Sequence, residues 1–161
     1  MKRHPALQPF SRDHNVGLIL ARSMVQAADN FGQRPDVIQS LTDAWRLELD
    51  DHFQKEELLL LPLCSKESSE RMQSEHAELR SLFEDLIAGS KEADVFRLAG
   101  EGLDSHIRWE ERELFCQIEA SASPEQLDEL AKRTWIPEET RWESGLAPRR
   151  EELMKRIVRT E

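Results

Sequence analysis

Two His-x-x-x-Glu pairs, His52 with Glu56 and His106 with Glu110, constrain this 161-residue chain more than any other feature. On an α-helix a spacing of four turns the chain by about 400°, so the two side chains stand roughly 40° apart on one face and ~6 Å apart along the axis. An imidazole and a carboxylate held in this way can bind one metal ion or two neighbouring ones. His14 and His76 place a single imidazole on each of the other two long segments. A fold that uses all six residues together must be helical, and it must bring four helices to one place.

The apolar periodicity supplies those helices. Ser11 is the expected cap of the first, with Asp13 in its first turn and a stripe of His14, Leu18, Ala21, Val25 and Ala28 that ends at Gly32 and Pro35. The second is expected over residues 35–61, with the stripe Ile38, Leu41, Trp45, Leu49, His52, Glu56 and Leu59, and Pro62 stops it. After a polar stretch at 65–69 the third carries Met72, His76, Leu79, Phe83 and Leu86, and Gly89-Ser90 closes it. The fourth begins near Lys91 and carries Phe96, Ala99, Leu103, His106, Glu110 and Leu114. Gly100 and Gly102 weaken it by about 1 kcal/mol each relative to alanine. They permit either a close helix approach or a kink, and both readings stay open. Ser123-Pro124-Glu125-Gln126 reads as a capping box opening a shorter fifth helix.

The expected fold is therefore all-α: an up-and-down antiparallel four-helix bundle over residues 1–122, followed by a short fifth helix and C-terminal tail over 123–161 that pack on the bundle or extend from it. The tail carries Trp135 and Trp142 and a basic run from Arg149 to Arg159, suited to the bundle surface or to an acidic partner.

A net charge of −10 argues against nonspecific nucleic-acid binding and against docking on an anionic membrane. The apolar run at 16–21 is short and closely flanked by charge, and no segment reaches the length of a membrane span. Cys64 and Cys116 form no CxxC pair and read as reduced thiols, so the expected location is the cytoplasm.

His14, His52, Glu56, His76, His106 and Glu110 all fall on the inward stripes. A single His-x-x-x-Glu is more often an exposed ion pair, and a lone histidine on an apolar face is more often a bonded core residue. Two carboxylates and four imidazoles buried together are different, because a buried carboxylate costs several kcal/mol unless a cation compensates it. A metal ion is the obvious cation. Glu48, Glu67, Asp85 and Glu101 read as solvated, and His4 lies outside the pattern.

The order His, His-x-x-x-Glu, His, His-x-x-x-Glu resembles the haemerythrin-like, or HHE cation-binding, domain family, from His14 to Glu110. The resemblance implies an up-and-down four-helix bundle around a non-haem centre of two iron ions, bridged by an oxo or hydroxo group. His14, His52, His76 and His106 would be terminal ligands, and Glu56 and Glu110 bridging carboxylates. Two departures stand out. Oxygen-carrying relatives place a further histidine one turn before the position of His76, where this chain has Met72. They also space the last carboxylate one residue further on, at Glu111, whereas Glu110 continues the apolar stripe and Glu111 swings about 100° away. The missing imidazole leaves six protein ligands for two metals, which opens a position to water, dioxygen, peroxide or a further carboxylate, Glu57 or Glu75. The ligand set suits iron and also manganese or zinc.

The function this implies is binding or sensing of a small oxidant (dioxygen, peroxide or nitric oxide) or of iron. A di-iron oxidoreductase acting on peroxide or nitric oxide is one alternative, although no GxGxxG or CxxC donor motif is present. The other is a helical interaction module with a vestigial or non-iron site. Whether the protein turns over is open, as is a homo-oligomeric state.

Overall fold

The computed structural model describes residues 3–134 and Lys155. Among them the chain is helical, with no strand. Helix α1 spans Gln8–Asp29, α2 Arg34–Ala44, α3 Asp50–Leu59, α4 Lys66–Ile87, α5 Ala93–Trp109, α6 Phe115–Ser121 and α7 Pro124–Thr134. A π-helical turn, Trp45–Leu49, joins α2 to α3 end to end, and a second, Glu110–Leu114, joins α5 to α6. These make four rods: α1, α2–α3, α4 and α5–α6. The rods run up, down, up and down. From His14 the first leads to Ala28, the second returns from Val37 to His52, the third leads from His76 to Leu86, and the fourth returns from Phe96 to His106.

Local chemistry fixes the ends. Arg34 ties the far end together, donating from Nε to Ala27 O (2.9 Å) and lying over the Phe96 ring (5.4 Å). Ser65 accepts from Ser68 N (3.1 Å) as the cap of α4. Gly89, at φ 104°, ends that helix while Ser90 N donates to Asp85 O and Gly89 N to Leu86 O, both at 3.0 Å. Ser123 and Gln126 form the expected capping box, with Gln126 N donating to Ser123 Oγ (3.2 Å) and Ser123 N to Gln126 Oε1 (2.8 Å).

Two expected helix starts move, and one expected helix is interrupted. Helix α1 starts at Gln8, with Leu7 as its cap and Pro9 in the first turn, so Ser11 lies inside it. Helix α4 starts at Lys66, taking in most of the stretch read as a loop. The second rod is not one regular helix, because the π turn adds a residue between buried Ala44 and buried Leu49.

Two apolar clusters fill the bundle. The far one includes Leu20, Met24, Leu41, Phe83, Phe96 and Leu103. The near one includes Leu7, Phe10, Leu60, Met72, Phe115 and Ile118, and Leu127 and Leu130 of α7 close it from below. Thr134 Oγ donates to Ala6 O (3.1 Å), pinning the end of α7 to the N-terminal segment. Of the apolar run at 58–61, Leu59 and Leu60 are buried while Leu58 stays exposed. The tail beyond residue 134, with Trp135 and Trp142, lies outside the described residues apart from Lys155. Among the described residues no helix is long and apolar enough to cross a membrane.

Gly100 serves close approach. A Cβ there would lie 2.6 Å from Ala21 O and 3.0 Å from Val25 N, both backbone atoms of α1. At Gly17 a Cβ would meet only the side-chain tip of Ile107, also at 2.6 Å. Gly100→Ala is expected to destabilise the fold by roughly 1–3 kcal/mol despite the better helix propensity of alanine, and Gly17→Ala to cost well under half of that. Urea unfolding of the two variants checks the contrast.

Candidate metal centre

All six residues singled out by the sequence meet between the two clusters. His14 comes from α1, His52 and Glu56 from α3, His76 from α4, His106 from α5, and Glu110 from the first position of the second π turn. Each is at most 4% exposed, and Glu56, His76 and Glu110 are fully enclosed. They form two overlapping groups. Ligand atoms of His14, His52, Glu56 and Glu110 lie within 4.8 Å of one another, and so do those of Glu56, His76, His106 and Glu110. Both carboxylates thus belong to both groups, with one histidine pair on each side.

Glu56 Oε1 is 2.9 Å from His52 Nε2 and 3.5 Å from His14 Nε2, while its Oε2 is 3.4 Å from His76 Nε2. Glu110 Oε2 is 3.1 Å from His14 Nε2, and its Oε1 is 3.5 Å from His106 Nε2. The Nε2 atoms of His76 and His106 approach to 3.0 Å. Both oxygens of Glu56, both of Glu110, and His14 Nε2 are buried without a hydrogen-bond partner. Buried carboxylate oxygens without hydrogen bonds are costly, and these four face imidazole nitrogens, atoms of a kind that can bind metal. The donor set, two imidazoles and a share of two carboxylates on each side, fits a pair of metal ions.

The outward nitrogens show a second pattern. His14 Nδ1 donates to Glu111 Oε1 (2.7 Å), His76 Nδ1 to Glu57 Oε1 (2.8 Å) and His106 Nδ1 to Glu75 Oε2 (2.7 Å). His52 Nδ1 lies 3.6 Å from Asp13 Oδ2. Each acidic residue is the chain neighbour of an inner residue: Asp13 precedes His14, Glu57 follows Glu56, Glu75 precedes His76 and Glu111 follows Glu110. A step of one residue rotates about 100° around a helix. One step back on an upward helix and one step forward on a downward helix rotate in the same sense. Each rod therefore presents its outer carboxylate to the histidine of the next rod, and the ring closes from the fourth rod to the first. Such carboxylates fix which imidazole nitrogen carries the proton and leave Nε2 free for a metal.

Glu57 and Glu75, weighed as replacement donors for the missing histidine, thus face the outer nitrogens. Glu111 does too, with its side chain 28% exposed, whereas Glu110 is enclosed among the imidazoles. Met72 is fully buried one turn before His76, in the near cluster. Aromatic rings wall the site: Phe53 stacks on His76 at 4.1 Å, Phe115 stacks on His14 at 5.6 Å, and Phe10 meets His52 edge-on at 5.8 Å. Cys64 lies beyond the ring, its thiol bonded to Leu60 O (3.1 Å) and pushed up to about 11 by burial and by the charges of Glu110 and Glu56.

The family model described as the Hemerythrin HHE cation binding domain matches residues 10–118. The chain belongs to this family. Neither curated proteins nor solved structures give a match to it. Membership in a cation-binding family agrees with the two clusters of buried histidines and glutamates.

Without metal the site holds protons. Burial alone would lower His52, but the charge of Glu56 and the contact with Asp13 outweigh it and raise it to about 9. His14 is raised well above its ordinary value in the same way, burial being overcome by Glu110, Glu111 and Glu56. A histidine raised in the folded state stabilises fully below its unfolded pKa, about 6.5, and that contribution is lost as pH rises through the folded value. The metal-free protein should therefore lose stability between about pH 6.5 and 9, on the order of 3 kcal/mol for His52. Melting temperatures of metal-free protein across that range test this, and a flat profile would refute it.

Proposed function

We propose that this protein is a non-haem di-iron protein that binds or senses a small oxidant, namely dioxygen, peroxide or nitric oxide. His14 and His52 would hold one iron and His76 and His106 the other, with Glu56 and Glu110 shared between them. The observation that carries this reading is the pair of fully enclosed carboxylates whose four oxygens have no hydrogen-bond partner and lie between two histidine pairs. Iron, when bound there, would supply the redox-active positions at which a small oxidant adds.

The chain's own residues supply the rest. Glu56 and Glu110 offset the charge of the two cations and hold them close together. The outer carboxylates hold protons at Nδ1 of the histidines, so that each Nε2 faces inward. Phe10, Phe53 and Phe115 surround the imidazoles and keep bulk water away. Each ion would draw on two histidines and the two shared carboxylates, a donor set that would leave room for an exogenous ligand, as in other non-haem iron sites built from histidine and carboxylate. Met72 is a thioether where oxygen-carrying relatives have an imidazole, so the His76/His106 position would have one nitrogen donor fewer.

The test is an anaerobic titration of iron-loaded, reduced protein with nitric oxide, dioxygen and peroxide in turn. A spectral change saturating near one equivalent per iron pair is expected for at least one of them. No change with any of the three would refute oxidant binding. Consumption of peroxide or nitric oxide far beyond that stoichiometry, with a reductant present, would make the protein an oxidoreductase instead.

A further inference from the structure

Outside the carboxylate ring lies a layer of arginines that the metal reading alone does not require. Arg80 Nη1 donates to Glu57 Oε1 (2.8 Å), the same oxygen that receives His76 Nδ1. Arg71 Nε donates to Glu75 Oε1 (2.7 Å), while the other oxygen of Glu75 receives His106 Nδ1. Both guanidinium groups lie over rings of the site wall, Arg80 5.6 Å from the Phe53 centroid and Arg71 4.3 Å from that of Trp109. Arg3 does the corresponding work on the other side. It bonds Glu111 Oε2 (2.9 Å) and the Glu111 carbonyl within the π turn, and lies 5.0 Å from the Phe115 centroid.

Each chain runs from a guanidinium lying over a ring through one carboxylate to one histidine. Two of the three end on the same side of the pair, at His76 and His106. We infer that Arg71 and Arg80 are positioning residues for the His76/His106 metal position specifically, and that Arg3 positions His14 on the opposite side. The outer layer then sets how firmly each of the two ions is retained, one side independently of the other. This rests on the reading of the site as a two-metal centre.

A carboxylate fixed at both oxygens, or at one oxygen from two sides, has one orientation and holds its imidazole in one plane. Without the arginine it can rotate into solvent, since the side chains of Glu57 and Glu75 are 30% and 29% exposed. Loss of such an outer partner typically lowers metal affinity about 10–100-fold. Charge acts in the opposite direction, because deleting a nearby cation by itself favours binding of another. A loss of metal is thus a result that altered charge alone does not produce.

The experiment uses the full chain and cobalt(II) as a redox-stable probe, counted per chain after passage through a chelator of graded strength. The Arg71→Gln/Arg80→Gln variant should retain about one ion under conditions where the parent retains two, with the affinity of the lost ion down about 10-fold or more. Combined with His52→Ala it should retain almost none, whereas combined with His76→Ala it should retain as much as His76→Ala alone. Arg3→Gln should show the mirror-image dependence. If the parent binds no cobalt, the two-metal reading itself fails. If the parent binds two and the arginine variants keep both, or lose both equally, the metal reading stands and this inference is overturned. Melting of the metal-free variants separates a loss of fold from a loss of position. Should the glutamine variants melt early, Arg71→Lys/Arg80→Lys, which keeps the charge but not the planar guanidinium fork, must still show selective loss of one ion.

Discussion

Glu56→Gln should empty both metal positions at once, taking the protein from two ions per chain to nearly none. The side chain is nearly isosteric, so the bundle keeps its packing and the effect falls on the site. Glu56 is fully buried, with Oε1 facing His52 and His14 and Oε2 facing His76. An amide supplies one neutral oxygen and a nitrogen that does not bind metal, so it cannot bridge, and two cations would lose half of the inner negative charge that offsets them. The contrast with single-sided changes is the informative part. His52→Ala removes a donor from one position only and should leave about one ion bound. Glu111→Gln removes only the partner of His14 Nδ1, and should weaken binding without emptying the site. Metal analysis of the three variants separates these cases. Full occupancy in Glu56→Gln, or an emptied site in Glu111→Gln with Glu110→Gln filled, would overturn the assignment of the shared carboxylates.

The second large effect is thermal. Metal binding to the folded state alone stabilises by RT ln(1 + [L]/Kd), about 4 kcal/mol per site at a thousandfold excess over Kd. Two sites give about 8 kcal/mol, and a chain of this size gains about 2–4 °C per kcal/mol, so loading should raise the melting temperature by roughly 20 °C. The gain is large because the folded protein already bears the burial of six polar side chains, including the four carboxylate oxygens that metal ions would bind. A melting temperature indifferent to metal would mean that these residues are structural. Glu56→Gln should abolish the increase.

The helices and the six inner residues were legible in the sequence because both obey the 3.6-residue period. His14, His52, Glu56, His76, His106 and Glu110 continue apolar stripes, and a helix cannot bury a stripe without burying what lies on it. Ser123 and Gln126 were legible for a similarly local reason, since a capping box is complete within four residues. The π turns were not. An inserted residue leaves only a spacing of five between Ala44 and Leu49 and the adjacent buried pair Leu114 and Phe115, which also fits an uneven stripe. Ser11 looked like a cap because the apolar pattern begins near it, while the true start depends on Pro9 and on the packing of Leu7 in the near cluster.

The carboxylate ring illustrates a different limit. Asp13, Glu57, Glu75 and Glu111 sit beside inner residues in the sequence, but which neighbouring histidine each one meets depends on the order of the rods around the bundle. That order is a tertiary property. Once it is given, the alternation of preceding and following acids is the signature of helices that alternate in direction. The arginines are further removed: Arg71 and Arg80 act across one helix spacing or one seam, and Arg3 reaches from a segment more than a hundred residues away in sequence.

The centre proposed for this protein is a pair of iron ions held by four histidines and two shared glutamates. Its most direct test is the metal content of anaerobically purified protein, followed by the visible spectrum on admission of air. About two irons per chain and a new ligand-to-metal charge-transfer band are the predicted result. Zinc, a single metal ion or none, with no band in air, would contradict it.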